Sequence, residues 1–88
     1  MNPLDIHIDE NRVASFDGRV LEVFGGEVRR FHVRLLTVVV PAPDKRGTRN
    51  VELRQAQRIA SMPLDEAAFE RIQPLLDALR RAGVSIKD

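Results

Sequence analysis

The chain has 88 residues, 43% of them hydrophobic and 31% charged, with a formal net charge of +1 at neutral pH. That length has room for one domain spanning 1–88, and so balanced a charge argues against a nucleic-acid partner held by bulk electrostatics. Without cysteine there is neither a disulfide framework nor thiolate chemistry, and no apolar run is long enough for a transmembrane segment.

Leu, Ile, Val and Phe contribute 28 residues, enough to expect a packed core rather than disorder. The N-terminus, MNPLDIHIDE, lacks the basic region and apolar stretch of a signal peptide, so a cytoplasmic location is expected. Arginine outnumbers lysine 12 to 2, which we read as the mark of a GC-rich genome.

From the N-terminus, Leu4, Ile6 and Ile8 alternate with Asp5, His7 and Asp9, the period-two pattern of a half-buried strand. Glu10-Asn11 marks a tight turn into Arg12–Phe16. Asp17-Gly18 is the strongest hairpin signal, joining RVASF to RVLEVF through a two-residue loop. Gly25-Gly26 turns the chain into Glu27–Arg34, where Phe31, Val33 and Leu35 alternate with Arg30, His32 and Arg34. Leu36–Val40 is the continuous run expected of a strand covered on both faces or lying in a closed barrel. Two strands rather than one are expected between Phe31 and Val40, since one would be long for a small domain. Pro41–Asn50 is the one real loop, after which Val51 and Leu53 alternate with Glu52 and Arg54. Gln57–Met62 supplies a last strand. Short connections make antiparallel pairing the expectation throughout. Thr37–Val40 is read as buried, with an exposed edge open to pairing with another chain as the alternative.

Leu64–Gly83, LDEAAFERIQPLLDALRRAG, is the one stretch with helical periodicity. At about 100° per residue, Ala68, Phe69, Ile72, Leu75, Leu76 and Leu79 share roughly a third of the circle. Asp65 suits the N-cap, Arg80 and Arg81 suit the last turn, and Gly83 suits a left-handed stop. Pro74 removes the hydrogen bond to the Glu70 carbonyl on the polar side. One kinked helix over about 65–82 is therefore expected, with two short helices meeting at Gln73–Pro74 as the alternative. The fold class is α+β: six to seven short antiparallel strands in a curved sheet or partly open barrel, capped by this C-terminal amphipathic helix.

The order of elements, carried by ASFDGRVLEV, GGEVRRFHV, LLTVVV and FERIQPLLDALRRAG, resembles that of the pleckstrin-homology-like domains, in particular short bacterial ones of unknown function. The resemblance covers nearly the whole chain. It implies a bent seven-strand sheet capped at an open end by the helix, and a non-catalytic module for lipid headgroups or peptides. Phosphoinositide-binding members use a basic cluster around the first strand–strand loop. Here that loop reads Asp9-Glu10-Asn11, which is acidic, so that site is not carried over.

Lys45, Arg46 and Arg49 are the densest basic group. In a glycine-containing loop they can hold a phosphate or rest on an anionic membrane surface; the plain alternative is a solvated hairpin tip. Arg30, His32 and Arg34 recur at spacing two, so they form either an anion-binding stripe with Arg29 or Arg54, or an exposed face whose charges pair with Glu22 or Glu52. His7 and His32 lack the spacing of a zinc site. Asp5 and Asp9 flank His7 by ordinary alternation, the serines at 15, 61 and 85 lack a nucleophile-elbow pattern, and Gly25-Gly26 lacks the ending of a phosphate loop. No catalytic residue, metal or cofactor is expected. Two functions are carried forward. The first is a non-catalytic binding or scaffold module acting through contacts with an unidentified protein or a second copy of itself. The second is peripheral binding of anionic lipid or phosphate through the 41–50 loop.

Overall fold

The computed structural model describes residues 4–25 and 27–87. Four strands, β1 (Leu4–His7), β2 (Val13–Phe16), β3 (Val20–Gly25) and β4 (Glu27–His32), form an antiparallel meander in the order β1-β2-β3-β4. Then come β5 (Leu36–Val39), β6 (Arg49–Gln55) and β7 (Arg58–Leu64), the helical segments α1 (Glu66–Arg71) and α2 (Gln73–Arg81), and β8 (Ser85–Lys87). The second sheet has the order β7-β6-β5-β8. Inward residues of both sheets and of the helix form one core that includes Ile8, Phe16, Leu21, Phe31, Val38, Val51, Leu64, Ile72 and Leu79.

Local chemistry explains the turns. The Ile8 N–H donates to the Arg12 carbonyl at 2.9 Å, closing the expected Glu10-Asn11 turn, and the Asn11 N–H donates to the Asp9 carboxylate. At the second hairpin the Asp17 carboxylate accepts the N–H groups of Arg19 and Val20, both at 2.8 Å. Pairing of Phe16 with Leu21 makes Gly18-Arg19 the central pair, one residue later than expected. Gly18 stands at φ +99°, the positive value that the first central position of a II′ turn requires. Gly26, half of the next predicted turn, lies outside the described residues.

Several expectations are corrected. The described residues form eight strands in two sheets that are not closed into a barrel, where six or seven in a curved sheet or partly open barrel were expected. Pairing is not antiparallel throughout: β8 runs parallel to β5, with Val38 opposite Ile86. The helix supplies the long crossover that a parallel pair needs, which the short hairpin connections do not. β4 stops at His32 and Val33–Leu35 is a turn, so the alternation does not run on, and Leu35 is 60% exposed. Between them lies the expected break into two strands. Thr37–Val39 is no free edge, because β5 pairs with β6 on one side and β8 on the other. Nor is β5 covered equally on both faces: Leu36, Val38 and Val40 are buried, whereas Thr37 and Val39 are half-buried.

The helix begins where the Asp65 carboxylate accepts the Ala68 N–H at 2.7 Å. It is interrupted for one residue at Ile72, with Pro74 near the start of α2, so the helix expected over about 65–82 is present with its break beside the proline, as two short segments. Hydrogen bonds from Ile72 to the Ala68 carbonyl and from Leu76 to the Ile72 carbonyl bridge the break, and the Gln73 side-chain amide donates to the Phe69 carbonyl. At the far end Gly83 donates to the Arg80 carbonyl and Val84 to that of Leu79, a Schellman closure whose apolar pair, Leu79 and Val84, is buried. Gly83 has φ +93°, and a Cβ there would meet nothing within 4 Å. Gly83→Ala should therefore cost only the left-handed backbone penalty, about 1–2 kcal/mol. Thermal unfolding should show a Tm lower by about 4–8 °C per kcal/mol.

Candidate functional site

The expected basic loop is built around Asp44. Its N–H donates to the Thr48 carbonyl, and its carboxylate accepts the N–H groups of Arg46 at 2.8 Å and Thr48 at 3.0 Å. Lys45 and Arg46 are exposed at the tip. Arg49 is held elsewhere: it donates to the Pro41 carbonyl at 3.1 Å, and its guanidinium carbon lies 4.4 Å from the centroid of the Phe69 ring. It braces the loop against α1. A cleft of about 310 Å³ beside this contact is lined by Glu66 and Glu70 as well as Arg49, so an anion there would face two carboxylates.

Arg30 faces Glu22 across the β3–β4 ladder, with nitrogen and oxygen 3.6 Å apart, and Arg54 bonds Glu52 on its own strand. Arg34 is not on the sheet face with Arg30, because it sits in the turn after β4, where its N–H donates to His32 Nδ1 at 3.2 Å. It lies at the end of β5 opposite the basic loop, about 20 Å away at about 3.3 Å per residue. The five cations singled out in the sequence do not converge. Among the described residues no three His, Asp or Glu side chains come together in a way that would hold a metal ion.

A different feature assembles from residues the sequence reading passed over. β4 and β7 are outer strands of the two sheets, and a seam stays open between them. At one end the His32 N–H donates to Gln55 Oε1 at 2.9 Å, and at the other Arg12 Nη2 donates to the Pro63 carbonyl at 2.7 Å. Between these links lie two clefts, of about 220 Å³ and about 250 Å³, that share Arg29 and Ala60. The first is floored by Leu53 and Met62 and the second by Phe31. Val28 on one lip is 64% exposed and Ile59 on the other 59%. Phase in the strands was the available signal. Ile59 alternates with buried Ala60, Met62 and Leu64, and Val28 is out of step with buried Phe31.

Backbone parity shows what these lips offer. Pro63 pairs with Asn50 and has no N–H, so it occupies a position of β7 whose polar groups point away from β6. Ile59 and Ser61 share that phase. On β4 the His32 N–H points out to Gln55, so Val28 and Arg30 turn their N–H and carbonyl groups to the open side as well.

Arg12 pins the seam through a fork, with Nε and Nη2 both on one Asp9 carboxylate oxygen, at 2.9 and 2.7 Å. That guanidinium, and then the Asn11 N–H, hold the Asp9 carboxyl below the ordinary carboxylate value; the N–H groups of Val20 and Arg19 do the same for Asp17. Comparison with protein-family models, curated proteins and solved structures finds no match.

Two outcomes are expected. A Cβ on Gly25 would lie 2.6 Å from Arg12 Cγ and 3.1 Å from the Asn11 carbonyl oxygen. Gly25→Ala should displace the Arg12 stem and cost about 1–3 kcal/mol in urea unfolding. Because Asp9 and Asp17 titrate lower in the fold than in the unfolded chain, the stability they contribute is complete above the unfolded value. It is lost as pH falls through the folded one. Asp9→Asn with Asp17→Asn should lower the urea midpoint at neutral pH and shrink its fall between neutral pH and about pH 2. An unchanged acid slope would contradict this.

Proposed function

We propose that the chain is a non-catalytic binding module acting through protein contacts, on a pleckstrin-homology-like arrangement of strands and helix. The observation that carries this reading is the open seam with Val28 and Ile59 exposed on its lips. Covering an aliphatic side chain fully is worth about 1.5–3 kcal/mol, so a protein surface laid on this seam gains where a small polar solute does not. The two carboxyls displaced from their ordinary titration, Asp9 and Asp17, each cap a turn, which is a structural use.

A second reading, peripheral binding of anionic lipid or phosphate, rests on the exposure of Lys45 and Arg46 at the loop tip. With Arg49 engaged by Pro41 and Phe69, two cations at about 1 kcal/mol each give about 2 kcal/mol on an anionic surface. Such a contact is weak alone and fades with salt.

The readings part in one experiment. A photoreactive residue is placed singly at positions 28, 59, 45 and 80 in producing cells, alongside co-sedimentation of the purified chain with neutral and anionic vesicles. The leading reading expects protein adducts at one or more positions and no sedimentation with either vesicle. Absence of any protein adduct, with anionic-vesicle binding that Lys45→Glu, Arg46→Glu abolishes, would replace it with the second.

A further inference from the structure

We infer that the outer face of the first sheet is the contact between two copies of this chain, packed about a twofold axis that runs along the strands between β2 and β3. The inference rests on the protein-contact reading and goes beyond the seam, which this face adjoins at Val28. Two observations carry it, and a third sets its strength.

The first is where the apolar side chains stand. Residues opposite each other in an antiparallel ladder point to the same face, so the registers place His7, Val13, Phe24 and Val28 in one row across all four strands. The next row is Asp5, Ser15, Glu22 and Arg30. Alternate residues of the same strands, Ile6, Ala14, Leu21 and Phe31 among them, enter the core. Every side chain in the two rows is half-buried or exposed, Phe24 to 38% and Val28 to 64%, so no other described part of the chain covers this face. The outer face of the second sheet has no such apolar row. There Ile59 stands opposite Arg54, and Val39 stands between Glu52 and Lys87.

The second is complementarity of the face with itself. A twofold axis along the strands lays β1 of one copy over β4 of the other, and β2 over β3. Val13 then meets Phe24 of the second copy, and His7 meets Val28. In the other row Asp5 meets Arg30, and the Ser15 hydroxyl meets the Glu22 carboxylate, a donor against an acceptor. Symmetry makes each contact twice. Asp5 is exposed and has no partner among the described residues. The Arg30 side chain is 71% exposed and comes no nearer than 3.6 Å to Glu22, which leaves it able to reach a second carboxylate. A twofold axis across the strands through this row would instead set Asp5 over Asp5 and Arg30 over Arg30, like charge on like.

The third is size. Four strands about 4.8 Å apart and at most six residues long cover about 400 Å² on each copy, or about 800 Å² in all. Stable complexes bury at least about 1,200 Å², so this dimer is a weak one, with a Kd between about 10 µM and about 1 mM.

The test is sedimentation equilibrium of the purified chain from about 10 µM to about 2 mM, with amide NMR over the same range. The expected result is a reversible monomer–dimer equilibrium, with concentration-dependent shifts at Val13, Ser15, Glu22, Phe24 and Val28. Asp5→Arg, at an exposed side chain, should weaken the dimer at least tenfold, because it opposes two arginines at both ends of the row. Arg30→Asp should weaken it similarly, and the two changes together should restore the Kd to within about threefold of the unaltered chain. A double reversal no tighter than either single one would overturn the inference, as would Asp5→Arg dimerising like the unaltered chain. Shifts confined to the seam, to α2 or to the 41–48 loop would overturn it too. So would adducts at position 28 with a different protein and none with this chain, which would give the face to another occupant. A chain still monomeric at about 2 mM would reject the dimer, and protein adducts at position 59 or 80 would then still uphold the protein-contact reading. Absence of adducts at all four positions would remove that reading as well.

Discussion

The apolar stripe of the C-terminal helix is the constraint to which the rest of the fold answers. Ala68, Ile72, Leu75, Leu76 and Leu79 are all at most 3% exposed and belong to one core with the inward residues of both sheets. The two sheets are built from hairpins that have little reason of their own to stay together, and a face of this size gives them a shared surface to cover. Polar ties hold the lid in place. Asp65 caps its start, Arg71 reaches 2.9 Å to the Ile8 carbonyl at the end of β1, and Arg49 rests on Phe69. The interruption at Ile72 spares the stripe, because Ile72 is fully buried whereas Pro74 faces outward. The same helix carries the chain back from β7 to β5. Its glycine stop delivers Val84 into the core and Ile86 beside Val38, which is why the last strand runs parallel.

Two open sheets have four outer strands, and three of these are managed by ordinary means. β8 has only three residues and β1 only four. β7 is blunted at one end by Pro63, whose carbonyl is taken by Arg12. What is left is the middle of β7 and the edge of β4 facing it, where Ile59 and Val28 stand exposed. An edge pair pinned at both ends and open between is not a gap left by poor packing, since one side chain was placed at each end to hold it. Had the sheets been joined by strand pairing, neither the Gln55 nor the Arg12 bond would have a place.

Most of the elements were legible because their signals are local. Period-two alternation marked β1 and β6, the Asp-Gly pair announced the β2–β3 hairpin to within one residue, and both helix ends carried their caps. What was not legible is what depends on pairing at a distance. Ser85–Lys87 is three residues with no periodicity of its own, and it becomes a strand only because β5 offers it an edge some 50 residues earlier in the sequence. The separation into two sheets is equally non-local. Counting hairpins cannot say whether the fourth strand will pair with the fifth. The seam suffers the same limit, since β4 and β7 lie about 30 residues apart. Only the phase of Val28 and Ile59 against their buried neighbours hinted that apolar side chains would face out.

The arginines show why a count of cations misleads as a guide to a binding site. Arg12, Arg49 and Arg71 each spend a guanidinium N–H on a main-chain carbonyl, of Pro63, Pro41 and Ile8 respectively. All three carbonyls lie at a strand end or on an outer strand, where no ladder neighbour is at hand to take them. A guanidinium suits that task better than an ammonium, because its planar fork can hold a carboxylate and reach a carbonyl together, as Arg12 does with Asp9 and Pro63. The excess of arginine over lysine thus has a structural use in this fold, apart from any bias of base composition. It also changes where positive charge remains for a partner. Arg49 falls out of the basic loop, and Arg30 is partly offset by Glu22. Arg58 stays exposed beside Ile59 on a lip of the seam, as Lys45 and Arg46 do at the loop tip, so part of the charge that remains lies where exposed aliphatic side chains already are.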